Sequence, residues 1–201
     1  MVLDVTRPLV DGWQNFYLII GPSAAALMGL QFVVMALVKD SPAAKSPLGV
    51  DAFTTPTIVH FAAVLSVAAV LSAPWPSLHS AVVTLCTGAV LCLVYVLVVL
   101  RRIMRMYQYE PVAEDWIWHV VLPFVAYATI AIAGYLLAGT TSTPLFVIAA
   151  ATMLLLFVGV HNAWDIATYL SLQLATATAA SSDAASGNVS NATASSSVPA
   201  E

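Results

Sequence analysis

Five apolar runs, each close to the length of a membrane-crossing helix, constrain this chain more than anything else in it. They cover residues 13–38, 56–73, 80–100, 116–138 and 144–170. A helix needs about 20 apolar residues to cross the hydrocarbon core of a bilayer. In hydrocarbon every backbone N–H and C=O must be satisfied inside the segment, so such runs become helices. Only 8% of the residues are charged and 61% are hydrophobic. Soluble domains carry about 25% charged residues, so the composition argues against a water-soluble globule. The expected fold class is all-α: an integral membrane bundle of five transmembrane helices over residues 1–171, then a disordered Ala/Ser/Thr-rich tail over 172–201.

Local chemistry supports these segments. Thr55 and Thr143 precede Pro56 and Pro144, a capping residue followed by proline at the first helical position. Pro22 and Pro123 fall inside spans and predict kinks. Cys86 and Cys92 lie in one run, about 9 Å apart along a helix axis, and read as small packing residues. The leading stretch "MVLDVTRPLVDG" sets Asp4 and Asp11 against one Arg7, and the run behind it exceeds the about 7–15 residues of a cleavable signal. It reads as a retained helix.

Basic residues give an orientation. Lys39 and Lys45 follow the first run, and Arg101, Arg102 and Arg105 follow the third. With five spans these two loops share one side, while "PWPSLH" and "GTTST" on the other side hold no Lys or Arg. The positive-inside rule then places the N-terminus outside and the C-terminus in the cytoplasm. Trp116, Trp118 and Trp164 fit a cytoplasmic aromatic belt, and Trp13, Tyr17 and Trp75 an outer one. The net charge of −4 says little about nucleic acid, but no basic stripe exists outside one short loop, so no nucleic-acid partner is expected.

Polar residues can now be placed in depth. Counted from the outer boundary at about 1.5 Å per residue, Gln31 lies about 27 Å in, His60 about 20 Å, His119 about 28 Å, Asp115 about 34 Å, His161 about 26 Å and Asp165 about 32 Å. Four helices thus bring polar side chains to one layer just inside the cytoplasmic boundary. Asp115 and His119 are four residues apart, as are His161 and Asp165, so each pair shares a helix face. The reversed order on antiparallel helices lets histidine face histidine and aspartate face aspartate. His60, Asp115, His119, His161 and Asp165 then form a ligand set for a divalent metal ion such as Zn, with Gln31 and Asn162 supporting them. A bound metal would activate water for a membrane hydrolase, with Asp115 or Asp165 as base. Two other readings stand beside it. The layer can be a proton or ion site of a transport or channel accessory. It can also be a hydrogen-bonded network that only stabilises the bundle. Two helices offering histidines at one depth also meet the condition for heme, although the neighbouring carboxylates suit a hard ion better.

The stretches "WQNFY", "GLQFVVMAL", "TPTIVHF", "SAPWPS", "EDWIWHVVLPFVAYA" and "GVHNAWDIATY" resemble a group of short bacterial multi-pass membrane proteins with no assigned function. The resemblance covers about residues 13–170 and implies a bacterial inner (plasma) membrane protein in contact with the lipid bilayer, and the small size of a five-span bundle, not the resemblance, favours assembly with itself or a membrane partner. The resemblance implies no activity or cofactor.

The orientation is open to a direct test. An alkaline phosphatase fusion after residue 76 is expected to be active and one after residue 105 inactive. The opposite pattern overturns the assignment.

Overall fold

The computed structural model describes residues 12–38, 50–105, 113–139 and 142–195. These residues fold into five long helical rods: α1 (Gln14–Val38), α2 (Val50–Ser72), α3 (Leu78–Arg105), α4 and α5 (Thr143–Ser195). The fourth rod, α4, is composite. It begins as α-helix Ala113–Trp116, widens into a π turn at Ile117–Val121 and continues as α-helix Leu122–Leu136. No strand occurs among the described residues. All five rods are long and apolar enough to cross a membrane, over Gln14–Ala36, Thr55–Ser72, Leu78–Arg101, Ile117–Leu136 and Thr143–Leu172. These stretches match the five runs read from the sequence.

Two helix boundaries differ from expectation. Pro56 does not open α2; the helix starts at Val50 and carries Pro56 inside it. A proline near a helix start sacrifices only one hydrogen bond, to the carbonyl four residues back. The tail does not lose helical order at 172, because α5 runs on to Ser195. Alanine is the best helix former, no proline intervenes before Pro199, and extending an existing helix needs no new nucleus.

Proline has its clearest effect in α4. Pro123 lacks an N–H, and in a regular helix its ring would press on the carbonyl of residue 119. The turn before it opens instead, and the Leu122 N–H bonds the Ile117 carbonyl, one residue farther back than in an α-helix. The expected kink is thus realised as a π turn, and it carries His119.

Three close contacts join the rods, and with the Trp13–Phe146 ring contact at 4.7 Å those among α1, α2 and α5 fit α2 running opposite to α1 and α5. A Cβ placed on Gly21 would lie 3.0 Å from Ala68 Cβ, joining α1 to α2. One on Gly134 would lie 3.1 Å from Cys86 Sγ, joining α4 to α3. One on Gly159 would lie 2.6 Å from the Phe61 ring, joining α5 to α2. Both cysteines are free, and Cys86 fills space against Gly134, as its apolar setting implied. Phe61 and Val64 of α2 and Ile148 and Leu155 of α5 are fully buried in one apolar core, so these two helices form the centre. Leu18, Leu91, Ile132 and Phe146 stay more than 60% exposed. Apolar surface on that scale calls for a covering phase or partner, and a bilayer is compatible with it. Tyr17 departs from the expected outer belt. It is 1% exposed and packs in the core beside Trp13 and Phe16.

Gly159→Ala tests the central contact. Its methyl group meets the Phe61 ring, and overpacking of this kind costs about 1–3 kcal/mol. Thermal unfolding in detergent is expected to show that loss, and Phe61→Leu in the same chain should recover part of it. An unchanged midpoint for Gly159→Ala would show that the contact is loose.

Candidate functional site

The same contacts fix which residues share a level. From the Gly21–Ala68 contact, ten residues forward on α1 reach Gln31, and ten residues back on α2 reach Ile58, each about 15 Å along its axis. From the Gly159–Phe61 contact, three residues forward on α5 reach Asn162, and three back on α2 reach Ile58 again. Gln31, Asn162 and the Thr57–His60 turn of α2 therefore lie at one level. All are enclosed: Gln31 is 4% exposed, Thr57 and Asn162 0%, and His60 1%. His119, on the π turn of α4, is also buried and within electrostatic range of His60.

A hydrogen bond ties this layer to the bundle centre. His60 Nδ1 and the Tyr127 hydroxyl are 2.8 Å apart and buried. Tyr127 also has the Cys92 thiol within hydrogen-bonding reach, so its hydroxyl links α2, α3 and α4. Which of His60 and Tyr127 donates depends on the imidazole tautomer. With Nδ1 engaged, His60 Nε2 is buried and has no hydrogen-bond partner. Gln31 Nε2, Asn162 Nδ2 and Asn162 Oδ1 are in the same condition. Each unpartnered buried group costs about 1–3 kcal/mol. Four such atoms on three helices, drawn together at one level, are the most unusual feature of the bundle.

The second polar group lies on another face of α5. Trp118 stacks flat on His161, with ring centroids 3.7 Å apart and planes 6° from parallel. His161 Nδ1 lies 3.1 Å from Asp165 Oδ2, close for an ion pair but without the alignment of a hydrogen bond. Its Nε2 lies 3.9 Å from Glu114 Oε1. These groups are wetter: the side chains of His161, Asp165 and Glu114 are 27%, 52% and 71% exposed.

The expected five-residue metal set is therefore divided. His60 and His119 belong to the buried layer, and His161 and Asp165 to the exposed group. The side chain of Asp115 lies outside the described residues. His161 faces Trp118 rather than a histidine, because successive residues on a helix point about 100° apart. Turning His161 toward α4 turns Asn162 toward α2. Among the described residues, no three His, Cys, Asp or Glu side chains gather closely enough to hold a metal ion. Sequence reasoning gave Asn162 only a supporting place and missed Tyr127, Glu114 and the π turn. The signals were an asparagine within an apolar run, a tyrosine at mid-span and a proline four residues after a histidine.

Compared with known families, curated proteins and solved structures, the chain shows no match to any of them.

Tyr127→Phe keeps the ring and removes the hydroxyl, leaving His60 Nδ1 buried without its partner. A stability loss of about 1–3 kcal/mol is expected in thermal unfolding. Asp165→Ala, at a half-exposed pair, should cost less than about 1 kcal/mol. Equal effects from the two variants would contradict the assignment of Tyr127 as a buried tie.

Proposed function

We propose that this chain is a multi-pass protein of a bacterial inner membrane, N-terminus outside, whose cytoplasm-side polar layer takes up and passes on protons as a transport protein or as an accessory to one. The five apolar rods, the bias of basic residues to two loops and the sequence resemblance support the placement. The proton reading rests on one observation. His60 is held at Nδ1 by the Tyr127 hydroxyl while its Nε2 stays buried and unpartnered. An imidazole fixed in this way accepts a proton at one nitrogen and releases one from the other. A proton arriving at Nε2 lets the Nδ1 proton pass to the Tyr127 oxygen. The tyrosine hydroxyl proton then moves to the Cys92 sulfur as that thiol releases its own proton to water beyond it, so each of the three groups ends with the number of protons it began with. Intramembrane ionisable groups mark proton routes in many transporters, and no buried carboxylate among the described residues competes with His60 for the proton.

A divalent metal is the second reading, favoured by the same imidazole. A ligating histidine commonly has its other ring nitrogen anchored by a hydrogen bond, as His60 has. His60 and His119 would be the protein ligands, with amide oxygens completing the set. Hydrolysis by such a metal would need a base there. Asp165, on the other face of α5, is poorly placed for that role.

Proteoliposomes with an internal pH dye and an imposed potential test both readings. Wild-type protein is expected to raise proton flux above protein-free vesicles. His60→Gln and Tyr127→Phe, each eluting as the wild type does, should return it to that background. Wild-type flux at background overturns the proton reading. Elemental analysis of the same preparations decides the metal: one Zn per chain, lost in His60→Ala and His119→Ala, would replace the relay.

A further inference from the structure

The unpartnered atoms extend beyond His60. Gln31 Nε2 on α1 and both side-chain amide atoms of Asn162 on α5 are buried without partners, at the level of the Thr57–His60 turn. Helix α1 packs on α2 and, more lightly, on α5. Buried on α1, Gln31 therefore faces the seam between them. Asn162 turns toward α2, one turn from the Gly159–Phe61 contact. Two other buried hydroxyls are partnered, Thr152 to the carbonyl of Ile148 at 2.7 Å and Tyr127 to His60, while the unpartnered Tyr17 hydroxyl stands fourteen residues before Gln31 on α1. Among the described residues, the seam alone gathers unpartnered side-chain donors and an acceptor from three helices.

We propose that Gln31, Asn162 and the free Nε2 of His60 line one internal site for a neutral hydroxyl ligand, and that this ligand is water. The chemistry of the three groups selects it. Asn162 offers two N–H donors and an accepting oxygen, Gln31 offers donors, and imidazole Nε2 offers one or the other. A single species that both donates and accepts can serve all three. The lining is formally neutral, so neither an anion nor a hard cation finds a counter-charge there. The enclosure at 0–4% exposure favours a small ligand. Internal water makes two to four hydrogen bonds to otherwise unsatisfied polar groups and stays in place for that reason. A glycerol hydroxyl from lipid has the same chemistry but must bring its chain into a closed seam. The inference rests on the membrane-spanning part of the proposed function and deepens it, because water at Nε2 is the immediate proton donor to His60.

The test is solid-state NMR on ¹⁵N-labelled full-length protein in bilayers, with magnetisation transferred from water. The side-chain amide signals of Asn162 and Gln31 are assigned by residue-specific labelling and by their loss in Asn162→Leu and Gln31→Leu. In wild-type protein both are expected to gain intensity at rates near that of exposed Asn15, and several-fold faster than the backbone amide of buried Leu155. Rates equal to Leu155 overturn the site. Transfer from lipid protons alone overturns water as its ligand. The proteoliposome assay reads the relay separately. Hydrated amides with no proton flux overturn the relay and leave the site standing, while proton flux with dry amides does the reverse.

Discussion

A polar group in hydrocarbon has no water to fall back on, and this one constraint organises the bundle. Most side-chain hydroxyls meet it locally. Ser23, Ser66 and Thr152 each bond the carbonyl one turn back on their own helix, at 2.7 Å. The Trp75 indole closes the corner after α2 on the Val70 carbonyl at 2.6 Å. Tyr127, at mid-span, reaches across to His60. Apart from the Tyr17 hydroxyl and His161 Nδ1, every unpartnered buried side-chain atom among the described residues belongs to Gln31, His60 or Asn162. The exception to the rule is concentrated in one layer.

Two local features of the backbone put that layer in place. Gly159 lets α5 approach the Phe61 ring closely, which locks the axial register of the two central helices. A register set this way is rigid, because well-packed interiors do not slide by fractions of an ångström. Pro123 opens the π turn that carries His119. A π turn adds a residue to one helical turn and changes the direction of the residues before it relative to those after it. It therefore separates the face that turns Trp118 onto His161 from the face that turns Tyr127 onto His60.

Depth was legible in the sequence; direction was not. Apolar runs report where a helix enters and leaves hydrocarbon, and counting from their ends brought Gln31 and His119 to one level, with His60 somewhat deeper in the bilayer, without structural information. Which face each residue occupies depends on helix rotation, and a nearly uniform apolar run carries little signal about rotation. His161 and Asn162 are neighbours in sequence and share a depth, yet one meets Trp118 and the other the α2 seam. Charge and metal-binding chemistry made His161 conspicuous, while the neutral amide beside it is the more enclosed residue. Tyr127 escaped notice because most of its side chain is an apolar ring, and its hydroxyl matters only once His60 is found opposite. The helix beyond 172 was hidden by a different competition. Serine, threonine and asparagine weaken helices, but here they are diluted by alanine and joined to a helix already formed.

A network that existed only to hold the helices together would be expected to close on itself. An unpartnered amide is worse for stability than leucine in the same space, because the amide keeps its desolvation cost and leucine has none. The stabilising contacts of this bundle are elsewhere, in the Phe61–Gly159 contact, the apolar α2–α5 core and the Tyr127 tie. Stability therefore accounts for Tyr127 and leaves Gln31, Asn162 and the free nitrogen of His60 unexplained. The tier of Glu114, His161 and Asp165 carries two carboxyl groups and reaches solvent, and the tier of Gln31, His60 and Asn162 has none and is closed. A charge moving inward along α5 exchanges hydrated carboxylates for amides and imidazole within a single helical turn. Among ions, only the proton can be handed from one side chain to the next, each transfer breaking one covalent bond as another forms along an existing hydrogen bond, so it needs no coordination shell of its own. This makes a layer of neutral side chains with free donors and acceptors better suited to protons than to a hard metal ion.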